Sequence, residues 1–469
     1  MHVAGHPYDL MSSDDLRLIH QSALRILDEI GMEVQDRRLL EVLAAHGGSV
    51  DFGRERVTYA PSTVEDYIAS VERVEWDSVT PEASGSAGVY DGLYHDPFSG
   101  ELAPWTEESL ASYFALAASL DHLHGATLLG SRIPVPGPLE PLYERYYAWK
   151  YSAREHGSIH LDELCPYILD LYEAVADDGG QSIQDVFRGT VYLMPPLKLG
   201  RHEAYQVSYF HERGLRVHVG DMLAMGASAP VTLAGAVTLN LAEQLALGMF
   251  NRALFGDRHL HLHASVSVMD MRTAIYPYGR PEMAITNLMT AQLARHYGVG
   301  FSGHAGLTDA KLPSVEAGAQ KALTAIPTML AGGQIWIDAG LLCIDQVFSP
   351  IQMVLDNEFL SALQHFTHEF DISEESIGLQ AIIDAGPGGH FLDKEHTVRH
   401  MRGETWQPRL WSSLMLGPWL ESGRRLDVDY ARDIACSVDR AAARTGRLSE
   451  WLEQDVMGII QKARERLVR

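Results

Sequence analysis

Seven times between residues 106 and 340, a short apolar run alternates with a longer segment whose apolar residues follow helical spacing. The short runs lie at 126–130, 158–161, 190–194, 217–222, 260–266, 299–303 and 334–338. A helix opening at Thr106-Glu107-Glu108 precedes them, and helical runs at 141–156, 166–177, 202–213, 231–255, 282–296 and 315–331 lie between or beside them. Two parallel strands cannot be joined by a tight turn and need a crossover long enough to hold a helix. The alternation therefore implies a parallel sheet. So many units, without a dinucleotide-binding glycine fingerprint, favour a (β/α)8 TIM-type barrel over an open doubly wound sheet. The eighth strand falls in 376–383 or is irregular.

Such a barrel takes about 250 residues, and the chain has 469. The remainder reads as an N-terminal extension, 1–105, packed on a barrel at 106–385, and a C-terminal helical extension, 386–469. In the N-terminal part Ser12 or Ser13 caps a helix, with Asp14 and Asp15 in its first turn, where carboxylates oppose the helix dipole favourably. Leu16, Ile19, Ala23, Ile26, Leu27 and Ile30 share one face, and Gly31 is the expected stop. Residues 37–46 read as a second helix, 51–60 as a strand, and Pro61 as the start of another helix. Residues 78–105, rich in Gly, Ser, Pro and aromatics, read as irregular strands and turns.

The net charge of −25 argues against nucleic-acid or anionic-membrane binding, both of which need Lys/Arg-rich patches. It suits a cationic ligand or a basic partner face. Cys165, Cys343 and Cys436 are far apart with no Cys-x-x-Cys, so neither a disulfide framework nor a structural zinc site is expected and a reducing cytoplasm is the natural home. The start, Met1 to His6, lacks the basic and apolar regions of a signal peptide. Residues 222–242 are uncharged, but Ser228, Pro230, Thr232 and Asn240 interrupt them. They read as a strand exit, a loop and a fully buried helix from about Val231, not a membrane span.

In a barrel of this kind chemistry sits where strands end and the following loops begin. The ends here carry Leu193-Met194-Pro195-Pro196, Gly220-Asp221-Met222, Tyr276-Pro277-Tyr278, Ser302-Gly303-His304, Thr308-Asp309-Ala310-Lys311, Asp338-Ala339-Gly340 and Phe348. Aromatic rings with a nearby carboxylate hold a methylated cation without any hydrogen bond to it. His259, His261 and His263 alternate, so two share a face, as pairs in metal sites do. No carboxylate or cysteine accompanies them at ligand spacing, and polar interior positions of a barrel strand are the preferred reading; no metal is assigned. Gly386-Pro387-Gly388-Gly389-His390 lacks the strand–helix frame of a phosphate cradle. Neither a Gly-x-Ser-x-Gly elbow nor a His-Glu-x-x-His motif occurs.

Several segments, in order along nearly the whole chain, resemble the trimethylamine methyltransferase family. They are Ile19-His20-Gln21-Ser22-Ala23-Leu24-Arg25-Ile26-Leu27-Asp28-Glu29-Ile30-Gly31, Ala227-Ser228-Ala229-Pro230-Val231-Thr232-Leu233-Ala234-Gly235-Ala236, Met269-Asp270-Met271-Arg272-Thr273, Gly306-Leu307-Thr308-Asp309-Ala310-Lys311-Leu312-Pro313, Gly386-Pro387-Gly388-Gly389-His390-Phe391-Leu392 and Glu395-His396-Thr397. The resemblance implies a (β/α)8 barrel that presents a methylated amine to a corrinoid (cobalamin) carried by a separate protein. Only the twenty standard residues occur, so the chain resembles the branch without pyrrolysine, which includes glycine betaine methyltransferases. It departs from the family pattern at Thr308 and Ala310, where serines are usual, and at Ser314 and Glu316.

The expected reaction is transfer of a methyl group from a quaternary amine, glycine betaine first, to Co(I) of the corrinoid protein. A quaternary amine leaves as a neutral amine and needs little acid–base assistance. The expected cage is Tyr94, His95, Tyr276, His304 and Phe348, with Asp221 and Asp338 facing the ammonium. Asp309, placed with Asp221 and Asp338 in the catalytic set, and Lys311 hold the loop or meet the substrate carboxylate. His390 stands where the corrinoid enters. Two other classes remain open: a metal-dependent barrel hydrolase using His261 and His263, and a betaine-binding protein without catalysis. A homo-oligomer is compatible with either, and the final helix serves oligomer contacts or caps the fold.

Overall fold

A computed structural model describes residues 9–88, 92–128, 135–439, 446 and 448–468. The expectations placed on Met1–His6, on 89–91 and on 129–130 lie outside the described residues.

Parallel pairing runs through eight short segments: β1 (Glu82–Ala87), β2 (Thr127–Leu128), β3 (Arg154–Glu155), β4 (Gly189–Tyr192), β5 (Val217–Gly220), β6 (His261–Ala264), β7 (Gly300–His304) and β8 (Gln334–Ala339). β8 pairs with β1 over six residues, from Gln334 opposite Glu82 to Ala339 opposite Ala87. β1 meets β2 through a parallel bridge from Ala87 to Ala126, and β2 pairs with β3. A bridge from Ser158 to Thr190 leads to β4, which pairs with β5 along its length. Leu223–Met225, just past β5, pairs with Val266–Val268, just past β6. β6 pairs with β7, and β7 with β8. The hydrogen-bonded ladders are not continuous: they divide into six sheets of at most four strands. The molecule is a mixed α/β fold in which helices follow most of these strands.

Several expectations change: the run 158–161 is only a bridge at Ser158, β3 lies inside the run 141–156 expected as helix, and 51–60 is not one strand but part of the hairpin Ser49–Asp51 and Arg56–Thr58. Residues 376–383 are not a strand; they lie in the short helices Glu374–Ile377 and Leu379–Ala385. The additional parallel strand is β1, inside the Gly- and Ser-rich stretch. It is built of small residues because the helix Pro350–Phe366 lies directly on it. A Cβ on Gly85 would meet the carbonyl oxygen of Ile337 at 2.7 Å and Leu360 Cδ1 at 2.8 Å. Small side chains give no apolar periodicity, so the strand leaves little signature in the sequence.

Burial alternates along the strands and sorts their faces. On β8, Ile335, Ile337 and Ala339 are buried, and Gln334, Trp336 and Asp338 are less so. On β7, Phe301 and Gly303 are buried, and Gly300, Ser302 and His304 face the other way. The same division separates Leu262 from His261 and His263, and Val219 from His218. One face of these strands is therefore polar and rich in histidine.

The N-terminal segment attaches through its own small sheet. Ser12 caps the helix Ser13–Arg25 in a capping box with Asp15. Gly31, at φ +70°, ends the turn that follows, and a Cβ there would lie 2.1 Å from the Val57 carbonyl oxygen. Met32–Val34 then pairs with Lys198–Leu199 and Arg56–Thr58. The helix Leu233–Phe255, capped by Thr232, packs against Ser13–Arg25 and β6. It is long and apolar enough to span a membrane, but most of its surface is buried inside this chain. On the other side, Lys321 and Asp356 form a buried ion pair at 3.0 Å. Asp356 also accepts from Gly340 N–H and from Gln352 Nε2, both at 2.8 Å, so its lone pairs are largely satisfied. The final helix, Glu450–Leu467, buries Leu452, Val456, Ile459, Ile460 and Ala463 and packs on Cys165–Gly179.

Candidate functional site

The C-terminal ends of β5 to β8 gather aromatic rings and carboxylates. Three consecutive residues of the loop after β6 build the aromatic part. Tyr276 and Tyr278 flank Pro277, with their rings 5.8 Å apart, edge to face. Tyr278 lies edge-on to His304 at the end of β7, 6.5 Å between centroids. His304 in turn meets His263 at 5.1 Å. Asp309 fixes this loop: its carboxylate accepts from Tyr278 N–H at 2.7 Å and from Gly279 N–H at 3.3 Å. Lys311 donates to the Asp309 backbone oxygen at 2.7 Å.

Three carboxyl groups adjoin these rings. Tyr278 Oη donates to Asp345 Oδ2 at 2.7 Å. Asp338, at the end of β8, stands beside Gly88, where a Cβ would approach its own Cβ to 2.5 Å. Asp221 accepts from Gln244 Nε2 at 2.7 Å, and its second oxygen is buried without a partner. Behind it, Glu243 accepts from Leu197 N–H at 2.6 Å and likewise keeps one buried oxygen unpaired.

Desolvation dominates the acid–base behaviour of the cluster. Burial raises the Asp221 carboxyl to about 6, against the bond from Gln244. It raises Glu243 to about 8, with the charge of Asp221 adding to the effect. Asp338 is raised to about 6 by desolvation, opposed by Lys321 and reinforced by Asp345. Asp345 is also raised by burial, and the Tyr278 hydroxyl pulls it partly back. Burial lowers His304 to about 4, so it is a neutral imidazole near pH 7, and its Nδ1 has no partner. Tyr276 and Tyr278 are both pushed up and stay protonated.

A cavity of about 460 Å³ runs along the histidine-rich face, beside Gln244, Leu247 and Asn251 of the helix Leu233–Phe255, from Arg216 and Asp257 to Asp221, Ser265 and His304 at the strand ends. His218, His261 and His263 also line it. His261 Nε2 and His263 Nδ1 share the Ser302 hydroxyl at 2.8 and 2.9 Å, so these two occupy one face. His259, which precedes the strand, also lines the cavity and lies beside Asp257 and Glu72. Among the described residues no group of three His, Cys, Asp or Glu side chains has metal-binding geometry. Of the cations near the strand ends, Lys321 is bound to Asp356 and Arg280 to Asp270, whereas Lys311 donates to a backbone oxygen and has no carboxylate partner among the described residues.

The residues singled out from sequence fall into three places. Asp221, Tyr276, His304, Asp309, Lys311 and Asp338 meet at or beside the strand ends. Tyr94 and Phe348 belong to a packed aromatic group with Trp105 and Tyr113, in which Phe348 is 4.9 Å from Tyr113 and 5.5 Å from Trp105. His95 is buried next to it, bonded to the Ser349 hydroxyl at 2.8 Å. His390 is exposed in the C-terminal segment, 3.5 Å from Asp393. Sequence reasoning assigned no role to Tyr278, Asp345 or Glu243. Glu243 carried a signal, a lone carboxylate following an uncharged apolar run. Asp345 did not, because Cys343 and Ile344 before it adopt positive φ, a backbone shape that their residue types do not announce.

The family model for trimethylamine methyltransferase matches residues 2–90 and 103–439. The chain is 24% identical over 443 residues to trimethylamine methyltransferase MttB of Desulfitobacterium hafniense (strain DSM 10664 / DCB-2), covering 91% of this chain and 88% of that protein. It is 26% identical over 447 residues to the glycine betaine methyltransferase of Desulfitobacterium hafniense (strain Y51), covering 91% and 92%. Among solved structures, the monomethylamine methyltransferase of Methanosarcina barkeri aligns with a TM-score of 0.42 at 12% identity, over 97% of this chain and 93% of that one.

Proposed function

Because the chain belongs to the trimethylamine methyltransferase family, we propose that it transfers a methyl group from a quaternary amine, glycine betaine first, to a corrinoid carried by a separate protein. The observation that carries this reading is the strand-end cluster itself. Two tyrosine rings and a neutral histidine stand with three carboxyl groups, and Lys311 nearby has no carboxylate partner among the described residues. A quaternary ammonium offers no N–H, so it is held by ring faces and by nearby negative charge. The relative named glycine betaine methyltransferase supports the substrate class.

A reduced corrinoid supplies a Co(I) nucleophile that accepts a methyl group from a quaternary nitrogen. The chain's own task is to bind the cation, orient one methyl outward and exclude water. Tyr276, Tyr278 and His304 form the walls. Asp221 and Asp338 supply the counter-charge, and Asp345 positions Tyr278. The substrate loses its positive charge as the methyl departs, so a carboxylate in tight contact would hold the ground state back. Carboxyl groups raised to about 6 are still largely ionised near pH 7, so they supply counter-charge without a direct bond to the nitrogen, which has no N–H to give. Lys311 has donors left for the substrate carboxylate. Asp309 acts as a positioning residue through its two bonds to the tyrosine loop.

The corrin is proposed to approach over the segments that follow these strands. Met194, Met271, Ile275, Leu312 and Val315 are exposed apolar side chains on the segments that follow these strands. Exposed apolar groups on these segments suit contact with a flat, largely apolar macrocycle and the partner that presents it.

The accompanying fold reading is a (β/α)8 barrel beginning at β1, with N-terminal and C-terminal additions. It is supported by the cycle of parallel neighbours from β1 through β8 and back to β1.

The test is a panel of betaines, choline and trimethylamine incubated with the enzyme and chemically reduced cobalamin, followed by cobalt absorbance. Loss of the Co(I) band with a quaternary amine, and not with trimethylamine, supports the proposal. Reaction with trimethylamine alone overturns the substrate class.

A further inference from the structure

The parallel ladder is open between β5 and β6. β5 forms a two-stranded sheet with β4 alone, and β6 stands at the edge of the four-stranded sheet β6-β7-β8-β1. The two segments pair only beyond their ends, at Leu223–Met225 and Val266–Val268. The helix Leu233–Phe255 lies over the gap, and its Asn240 Nδ2 donates to the His263 carbonyl at 3.0 Å, so a backbone group of β6 is satisfied from the helix. The cavity of about 460 Å³ follows this gap and touches both sides of it, His263 and Ser302 on the strands, Leu247 and Asn251 on the helix. Folded interiors are close-packed and seldom hold a void much larger than a water molecule. Three polar atoms on the wall, Asp221 Oδ2, Ser265 Oγ and His304 Nδ1, are also buried without a partner. Such groups call for a reason, and the volume lies within the roughly 300–1,000 Å³ of small-molecule sites.

The cavity joins the two ends of the strands. Its outer end lies at Arg216, Asp257 and His259, which precede β5 and β6, and its inner end at Asp221, Ser265 and His304. Exposure falls from one to the other. His218 and His261 are exposed, His263 and Ser302 are half-buried, and Asp221 and Ser265 are 5% and 1% exposed. Solvent therefore reaches the cavity from the strands' N-terminal side. Desolvation inside the fold lowers His218, His261 and His263 from the ordinary imidazole value, so near pH 7 they are neutral rings that do not repel a cation. Arg216 is paired with Asp257 at 2.6 Å, which leaves Asp221 as the unbalanced charge on the wall. We infer that the gap between β5 and β6 is a second entrance, by which a small quaternary ammonium reaches the site from the strands' N-terminal face. The mouth at the C-terminal ends is then left to the methyl acceptor, which covers it during transfer. In taking a methylated cation as the traveller the inference rests on the cation site proposed above, but its test reads entry and not demethylation.

The experiment places a thiol at the inner end, with Ser265→Cys, in the full-length protein. Its modification by 2-(trimethylammonio)ethyl methanethiosulfonate, which carries a quaternary ammonium head, is followed by peptide mass spectrometry, which separates it from Cys165, Cys343 and Cys436. In that background Asn251→Trp and, separately, His259→Trp narrow the outer end, with circular dichroism and thermal melts to verify the fold; His259 is exposed and tolerates the larger ring. Each is expected to slow modification roughly tenfold or more, whereas Asn251→Ala keeps the parent rate. The anionic sulfonatoethyl reagent, scaled to its rate with a free thiol, is expected to react roughly tenfold or more slowly than the cationic one. An unchanged rate in the folded tryptophan variants places entry at the mouth and overturns the inference, as does an equal slowing by Asn251→Ala. Equal scaled rates for the two reagents overturn the choice of a cation. None of these outcomes alters the betaine and cobalamin assay, so failure here and failure of the proposed reaction are read separately.

Discussion

The hydroxyl of Tyr278 donates to Oδ2 of Asp345 at 2.7 Å, and this bond joins the loop after β6 to the loop after β8. It links an aromatic wall of the site to a buried carboxyl whose proton affinity the same bond lowers. Replacing Tyr278 with Phe keeps the ring and removes the donor. The Asp345 carboxyl then loses its partner, at a cost of about 1–3 kcal/mol. Thermal melts should show that loss, and steady-state kinetics a roughly tenfold rise in KM with a smaller change in kcat. An unchanged KM would remove Asp345 from the positioning role.

Asp221 and Asp338 both titrate near 6, so affinity for a cation should depend on pH. A cation favours the ionised carboxylates, which form as pH rises through that region. Binding measured by calorimetry is expected to strengthen from pH 5 to 7 and level off above, with at most about a tenfold change per pH unit per group. A flat profile across that range would contradict the assignment of these carboxylates to the cation.

Glu243, raised to about 8 from an ordinary 4.5, makes a separate prediction about stability. Its folded value lies above its unfolded one, so its contribution is fully present below about 4.5 and is lost as pH rises toward 8. Glu243→Gln preserves the acceptor for Leu197 N–H and cannot ionise. The variant should gain on the wild type between pH 5 and 8, by at most roughly 1.4 kcal/mol per pH unit, and the gain should plateau above. Denaturant melts at a series of pH values check both the sign and the plateau.

Gly88 leaves the room that Asp338 occupies, since an added Cβ would lie 2.7 Å from its Oδ1. Gly88→Ala should displace the carboxylate and raise KM roughly tenfold, with little change in the far-ultraviolet spectrum. Full activity in this variant would show that Asp338 does not need its present position.

The ion pair of Lys321 and Asp356 is structural. Lys321→Met leaves a buried carboxylate whose remaining donors are Gly340 N–H and Gln352 Nε2. Chemical denaturation is expected to register a loss of about 3–5 kcal/mol. A neutral effect would mean that those two donors suffice.

Much of the fold was legible in the sequence because apolar periodicity reports which faces are buried. The strands around Val217, Leu262, Phe301 and Ile335 alternate visibly, and His261 and His263 share one face as expected, whereas His259 precedes the strand. The strand Glu82–Ala87 was hidden because Ala, Ser and Gly carry no hydropathy contrast. The run Ile377, Leu379, Ile382, Ile383 misled for the opposite reason: its apolar residues are exposed in short helices, so their pattern reflects a surface and not a core. Resemblance to the family was readable from ordered motifs and agrees with the match over most of the chain. Within the site, Asp221, Tyr276, His304 and Asp338 followed from the rule that chemistry gathers at strand ends. Tyr94 and Phe348 met the same chemical criterion, but their packing against Trp105 and Tyr113 depends on long-range contacts that residue type does not reveal.

The central claim, that the strand-end cluster removes a methyl group from a quaternary amine, is tested most directly with methyl-labelled glycine betaine, reduced cobalamin and the purified enzyme. Nuclear magnetic resonance of the products is expected to show dimethylglycine formed in step with Co(I) consumed, and neither change when Tyr276→Ala/Tyr278→Ala replaces the wild type. Clear thermal stabilisation by glycine betaine with no dimethylglycine from it or any other betaine tested would contradict the account and leave a binding protein in its place.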